Sequence, residues 1–201
     1  ITDMDAPLGR CIGNALEVRE AVEVLEGRGE ARLTALCIEL AAGMVCLAGL
    51  ADGRERAIEL CQDAVRSGKA LMALKNMVAA QGGDLSCLDN TDKLPLSPAR
   101  LDVTMPEEGY IACLKAEDCG LAAMELGAGR ERKEDSIDYG AGVVLLKNRG
   151  DYADKGEPIA RLYAQTGAQC QRARERLLGA ITVSKEAPKI GPLVIEEIGL
   201  R

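Results

Sequence analysis

Gly82-Gly83-Asp84-Leu85-Ser86-Cys87-Leu88-Asp89-Asn90-Thr91-Asp92-Lys93-Leu94-Pro95-Leu96-Ser97-Pro98 separates two kinds of hydrophobic pattern. Its Gly, Asp, Asn and Pro residues are turn formers and breakers. Glycine reaches backbone conformations closed to other residues, and proline removes a backbone donor. Residues 82–98 therefore read as a connector. Apolar residues recur at helical spacing before it and alternate as in strands after it.

Residues 11–81 read as a run of helices. Ile12, Leu16, Val22 and Leu25 mark the first, which Gly27-Arg28-Gly29 stops. The second runs from Ala31 to Leu50 with a core stripe of Leu33, Leu36, Leu40, Met44 and Leu47. Its flanks are also apolar, which predicts burial on several sides. A third helix covers about 54–67 and a fourth about 69–80, each closed by glycine. Helices this apolar ask for a sheet or another bundle to cover.

Beyond the connector, Leu101, Val103 and Met105 alternate, and Tyr110 to Leu114 form another short strand. Glu117 to Leu126 read as a helix, Val143 to Lys147 and Ile159 to Tyr163 as strands, and 167–179 as the last helix. Leu193 to Ile198 close the chain as a strand. The expected fold class is α/β plus α+β. Residues 1–81 form a helical layer of a large α/β domain, 82–98 the connector, and 99–201 a C-terminal α+β domain. No repeat of 20–50 residues is visible.

The 201 residues are 47% hydrophobic, 28% charged and carry a net charge of −7, an ordinary globular profile. Mean hydropathy is −0.03 and the pI about 4.9. No basic stripe offers a nucleic-acid or membrane-surface footprint. The longest uncharged apolar run, Leu40 to Ala51, is too short to cross a bilayer. Ile1-Thr2 reads as the tail of a strand, and the chain as part of a longer polypeptide.

The 8 cysteines include no Cys-x-x-Cys pair. Cys37, Cys46 and Cys61 fall on apolar helical faces, which predicts reduced, packed thiols in a cytoplasmic protein. There is no His, Trp or Phe. That rules out a Ser–His or Cys–His pair and an imidazole base within these residues. It also leaves only 4 tyrosines as platforms for a base.

Thr2-Asp3-Met4-Asp5-Ala6-Pro7-Leu8-Gly9 and Gly13-Asn14-Ala15-Leu16-Glu17-Val18-Arg19-Glu20 closely resemble a segment of the pyrimidine-nucleoside phosphorylases, which include thymidine phosphorylase. The resemblance continues in order at Met77-Val78-Ala79-Ala80-Gln81-Gly82-Gly83-Asp84, Leu126-Gly127-Ala128-Gly129-Arg130 and Lys155-Gly156-Glu157-Pro158. It covers nearly the whole chain. It implies a transferase of pyrimidine salvage that cleaves a pyrimidine nucleoside with phosphate to the free base and a pentose 1-phosphate. It further implies a cytoplasmic homodimer that binds neither nucleic acid nor membrane.

The family's catalytic, base-binding and phosphate segments precede the part matched here. The resemblance therefore assigns no catalytic residue to this chain and gives it a structural role, inactive alone. It does align Leu8, Cys11 and Glu20 with potassium ligands, through the carbonyls of the first two and the carboxylate of the third. Oxygen ligands suit a hard cation. Cys11 stands where the family usually has Ala, a change without consequence for a carbonyl ligand.

Gly127-Ala128-Gly129 before Arg130 is the nearest thing to a phosphate loop, but it reads as a helix C-cap and turn. Gly150 to Pro158 resemble a hairpin of biotinyl and lipoyl carrier domains, implying a barrel-sandwich (hammerhead) sheet. No Met-Lys-Met turn accompanies it, so Lys155 reads as a turn residue. Glu131 to Asp135 read as a solvated loop, and Arg172, Arg174, Glu175 and Arg176 as the wet face of the last helix. Two other readings stay open: a phosphorylase acting on nucleoside monophosphates, and a non-catalytic carrier or interaction module.

Overall fold

Local periodicity is realised through most of the chain. The computed structural model describes residues 1–130 and 132–199. The first elements are β1 (Cys11–Ile12), α1 (Asn14–Leu25), α2 (Ala31–Leu47), α3 (Arg54–Arg66), α4 (Lys69–Ala80) and the single turn α5 (Ser86–Asp89). There follow β2 (Ala99–Thr104), β3 (Gly109–Leu114), α6 (Ala116–Leu126), β4 (Gly142–Leu145), β5 (Tyr152–Ala153), β6 (Pro158–Ala164), α7 (Gly167–Gly179) and β7 (Ile181–Ser184). No described helix is long and apolar enough to cross a membrane.

The chain forms two compact units, each built from separate stretches of sequence. The helical unit contains Ile1–Asp3, Arg19–Lys93 and residues 193–199. The other contains Met4–Val18 and Leu94–Pro192. Hydrogen-bonded pairings between residues far apart in sequence set this division, and local periodicity carries no trace of them.

In the helical unit α2 stops at Leu47, three residues short of the expected Leu50. Gly49 takes φ +69°. Its N–H reaches the Cys46 carbonyl and the Leu50 N–H the Val45 carbonyl, a pair of bonds that closes the last turn. The Glu30 carboxylate caps the other end by accepting from Leu33 N at 2.8 Å. The expected burial of α2 on several sides is not found. Leu36 and Ala42 are buried, but Leu40, Met44 and Leu47 are 56%, 64% and 78% exposed. A stripe shows that a face is apolar, and burial needs a second surface that these residues do not supply.

Two further expectations are corrected here. Cys37 is exposed and Cys46 and Cys61 only half-buried, whereas Cys119 and Cys170 are the fully buried thiols. Leu193 to Ile198 do not form a strand: a single antiparallel bridge joins Thr2 to Val194. Asp3 N–H donates to Leu193 and Ile195 N–H to Ile1, and the pairing extends no further than Glu196. Pro192 lacks an N–H, and Ile1–Asp3 offer a short ladder.

The second unit is α+β with two antiparallel sheets. One has the order β1-β4-β6-β2 and the other β5-β3-β7. Cys11–Ile12, expected to open the first helix, instead pair with Val144 and Val143 of β4. In β6 Leu162 lies between Leu101 of β2 and Val143 of β4. These side chains share one core with Cys119, Ala122, Ala123 and Leu126 of α6 and with Cys170, Ala173 and Leu177 of α7. Both helices bury residues three, four and seven apart on one face. Across β2 and β6, Arg161 Nε donates to Asp102 Oδ1 at 2.7 Å. That hydrogen bond holds the Asp102 carboxyl below its ordinary range.

A capping box opens α7: Thr166 Oγ1 accepts from Gln169 N, and Gln169 Oε1 accepts from Thr166 N. Thr166→Ala is expected to lower the stability of this unit by about 1 kcal/mol. Urea titration followed by tyrosine emission measures it. The 4 tyrosines (110, 139, 152, 163) all lie in this unit, and there is no Trp.

Candidate functional site

The residues singled out for a cation fall in both units. Leu8 and Cys11 belong to the α+β unit, and Glu20 lies in the part of α1 assigned to the helical unit. Leu8 sits in a half-buried bend just before β1. Arg10 O accepts from Leu145 N at 2.7 Å, so the alternation of an antiparallel ladder turns the Cys11 carbonyl away from β4. Such a carbonyl faces the outer edge of the sheet, because β1 is its end strand. Glu20 is 7% exposed, which removes its reading as a solvated helix charge. Among the described residues no group of three or more His, Cys, Asp and Glu is arranged to hold a metal.

Gly127-Ala128-Gly129 is a helix terminus and turn. Gly127 N donates to Met124 O and Ala128 N to Ala123 O, closing α6. The end of α6 presented here is its carbonyl end, which repels anions. The carbonyls of Gly127 and Ala128 are themselves occupied, accepting from Asp138 N at 2.9 Å and Asn14 Nδ2 at 2.8 Å. Lys155 sits exposed in the turn between β5 and β6. Of the charge run 131–135, residues 132–135 are exposed and Glu131 lies outside the described residues. On α7 the wet-face reading holds for Arg172 and Glu175, but Arg174 and Arg176 are half-buried, and Arg176 Nε donates to Glu125 Oε1 at 2.5 Å.

Two features went unseen in the sequence. One is a groove of about 410 Å³ in the helical unit, lined by Thr2, Leu40, Met44, Leu47, Val194 and Ile198. Arg54 stands at it, paired with both Glu39 and Glu197. An apolar groove whose cation is already neutralised suits an apolar protein surface better than a phosphate.

The other is a polar cluster around Asp138. Its carboxylate accepts from Ser97 Oγ at 2.6 Å, Gln165 Nε2 at 2.8 Å and Gly140 N at 3.0 Å. Burial pushes the Asp138 carboxyl up, but these hydrogen bonds outweigh burial and the net shift is downward. A carboxyl lowered on folding stabilises above its unfolded pKa, about 4, and the stabilisation is lost as pH falls through the folded value. Asp-x-Gly at 138–140 is the local signal, since Asp caps the amide two residues on. Cys119, buried against α7, has its thiol pushed up to about 12, by burial first and then by Asp118 and Cys113, so it is a packing residue rather than a nucleophile.

Comparison with known proteins matches residues 110–184 to the pyrimidine nucleoside phosphorylase C-terminal domain. The chain is 40% identical over 199 residues to a pyrimidine-nucleoside phosphorylase of Staphylococcus epidermidis, covering 98% of this chain and 46% of that protein. It is 39% identical over 198 residues to that of Geobacillus stearothermophilus, with coverages of 98% and 46%. With the one from Bacillus subtilis it is 44% identical over 164 residues, covering 82% of this chain and 38% of the relative. The chain thus spans about half the length of the curated relatives it matches.

Proposed function

We infer, since the chain belongs to the pyrimidine-nucleoside phosphorylase family and matches its C-terminal part, that it serves as the C-terminal region of such an enzyme. The reaction is phosphorolysis. A phosphate oxygen bonds to C1′ of the pentose as the bond from C1′ to the ring nitrogen breaks. The base leaves with that electron pair and takes up a proton, and the sugar keeps the phosphate. The carrying observation is identity of about 40% that runs along 98% of this chain rather than over one motif.

In this reading the region contributes structure. The helical unit is a layer of a larger α/β domain, and the exposed stripe of α2 packs on the remainder of that domain. Exposure of Leu40, Met44 and Leu47 supports this, because so much apolar surface on one face marks an interface. The two antiparallel sheets are read as a barrel-sandwich (hammerhead) arrangement. The enzyme works in the cytoplasm as a homodimer, with phosphate and a pyrimidine nucleoside as substrates and potassium as cofactor. The carbonyls of Leu8 and Cys11 and the carboxylate of Glu20 are its proposed ligands from this chain.

A chimera tests the reading. The part of the Staphylococcus epidermidis enzyme that precedes the matched region is joined to this chain at Ile1. It is expected to release base from uridine or thymidine with phosphate. A folded chimera without phosphorolytic activity overturns the assignment. In the same chimera, Glu20→Gln keeps shape and removes charge. It is expected to weaken the potassium dependence and raise the apparent phosphate KM more than the nucleoside KM. Unchanged potassium and phosphate dependence removes the cation role and leaves the family reading standing.

A further inference from the structure

In the α+β unit, one short segment holds two of the chain's routes into the helical unit. The chain leaves through α1 after Val18 and re-enters by the connector at Leu94. Tyr139 O accepts the Ala15 amide of the first turn of α1 at 3.1 Å. The next residue, Gly140, accepts the Ser97 amide of the connector at 3.0 Å. Ser97, only 5% exposed, also gives its hydroxyl to Asp138. We propose that Asp138–Gly142 is a two-armed latch, so that freeing one of these routes loosens the other.

Close backbone approach couples the arms. A Cβ on Gly140 would meet Ser97 N at 2.7 Å, one on Gly13 would meet Ala141 O at 2.6 Å, and one on Gly142 would meet Ile12 O at 2.3 Å. The segment is thus wedged between the two routes with no side chain to act as a cushion, and displacement on one side is felt on the other. Asp138 sets its shape. The carboxylate grips Ser97 and Gly140, while the Asp138 amide is anchored to Gly127 O. Gln165 braces the carboxylate from the end of β6. A pull on the first turn of α1 would then be passed to the connector, and the reverse.

Native-state amide exchange on the full 201-residue chain tests the latch, read as protection factors at positions 15, 97 and 140 and at core positions 103 and 162. Ser97→Ala removes one hydroxyl and touches nothing on the α1 route. It is expected to lower protection about tenfold at positions 97 and 15 together, while 103 and 162 stay within twofold. Asp138→Asn keeps the shape and weakens the grip from its centre, and the same pair of positions is expected to respond. Loss at 97 with position 15 within twofold of wild type means independent arms and overturns the proposal. An equal loss at 103 and 162 means global opening and overturns it as well.

Discussion

The 201-residue chain, purified alone, is expected to release no base from uridine or thymidine in the presence of phosphate, at any concentration of potassium. Phosphorolysis needs donors fixed around the transferring oxygens and around the departing base before reaction begins. This sequence has no His to act as base or donor. Its Gly127-Ala128-Gly129 turn stands at the carbonyl end of α6, where the dipole opposes an anion. Arg54, at the apolar groove of the helical unit, is paired to two carboxylates. The expected contrast with the chimera is the whole catalytic acceleration, which for enzymes is on the order of a million-fold or more. Ultraviolet absorbance of the released base measures it. Turnover by the single chain that survives repurification and scales with its concentration would contradict the structural role assigned here.

Leu162→Ala is expected to cost the α+β unit about 3 kcal/mol, and Leu40→Ala less than about 0.5 kcal/mol in the same chain. Leu162 is 0% exposed on β6, flanked by β4 and β2, with α6 and α7 closing the same core. Truncation there loses the transfer energy of the removed carbons and leaves a cavity that paired strands cannot close. Leu40 already meets water, so its truncation removes little buried area. Urea midpoints from tyrosine emission read the Leu162 variant, and far-ultraviolet circular dichroism reads the Leu40 variant. If the α2 stripe packs on the remainder of the α/β domain as proposed, the Leu40 change becomes markedly more destabilising in the chimera. Equal costs for the two substitutions in the single chain would mean that the α2 face is already packed.

The helices α2, α3, α4, α6 and α7 were legible in the sequence because a helix is stabilised by neighbours three and four residues away. Gly at 68 and 82 also punctuates the ends of α3 and α4. The strands β2, β3 and β6 were legible because one face of each is buried and the alternation survives. The two-residue strands β1 and β5 are too short to show a period, and β7, only four residues directly after α7, was not read as a strand. Family kinship was also legible, since the short motifs that carry the resemblance are spread from Thr2 to Pro158.

What only the tertiary structure decided depends on pairing across long separations. Cys11 with Val144, Thr2 with Val194 and Ser97 with Asp138 are set by the whole fold, and these contacts compose the units and the Asp138 cluster. The same reason explains α2. Its apolar stripe is a property of the sequence, but whether that stripe is core or open surface depends on which other residues reach it. Among the described residues, too few do.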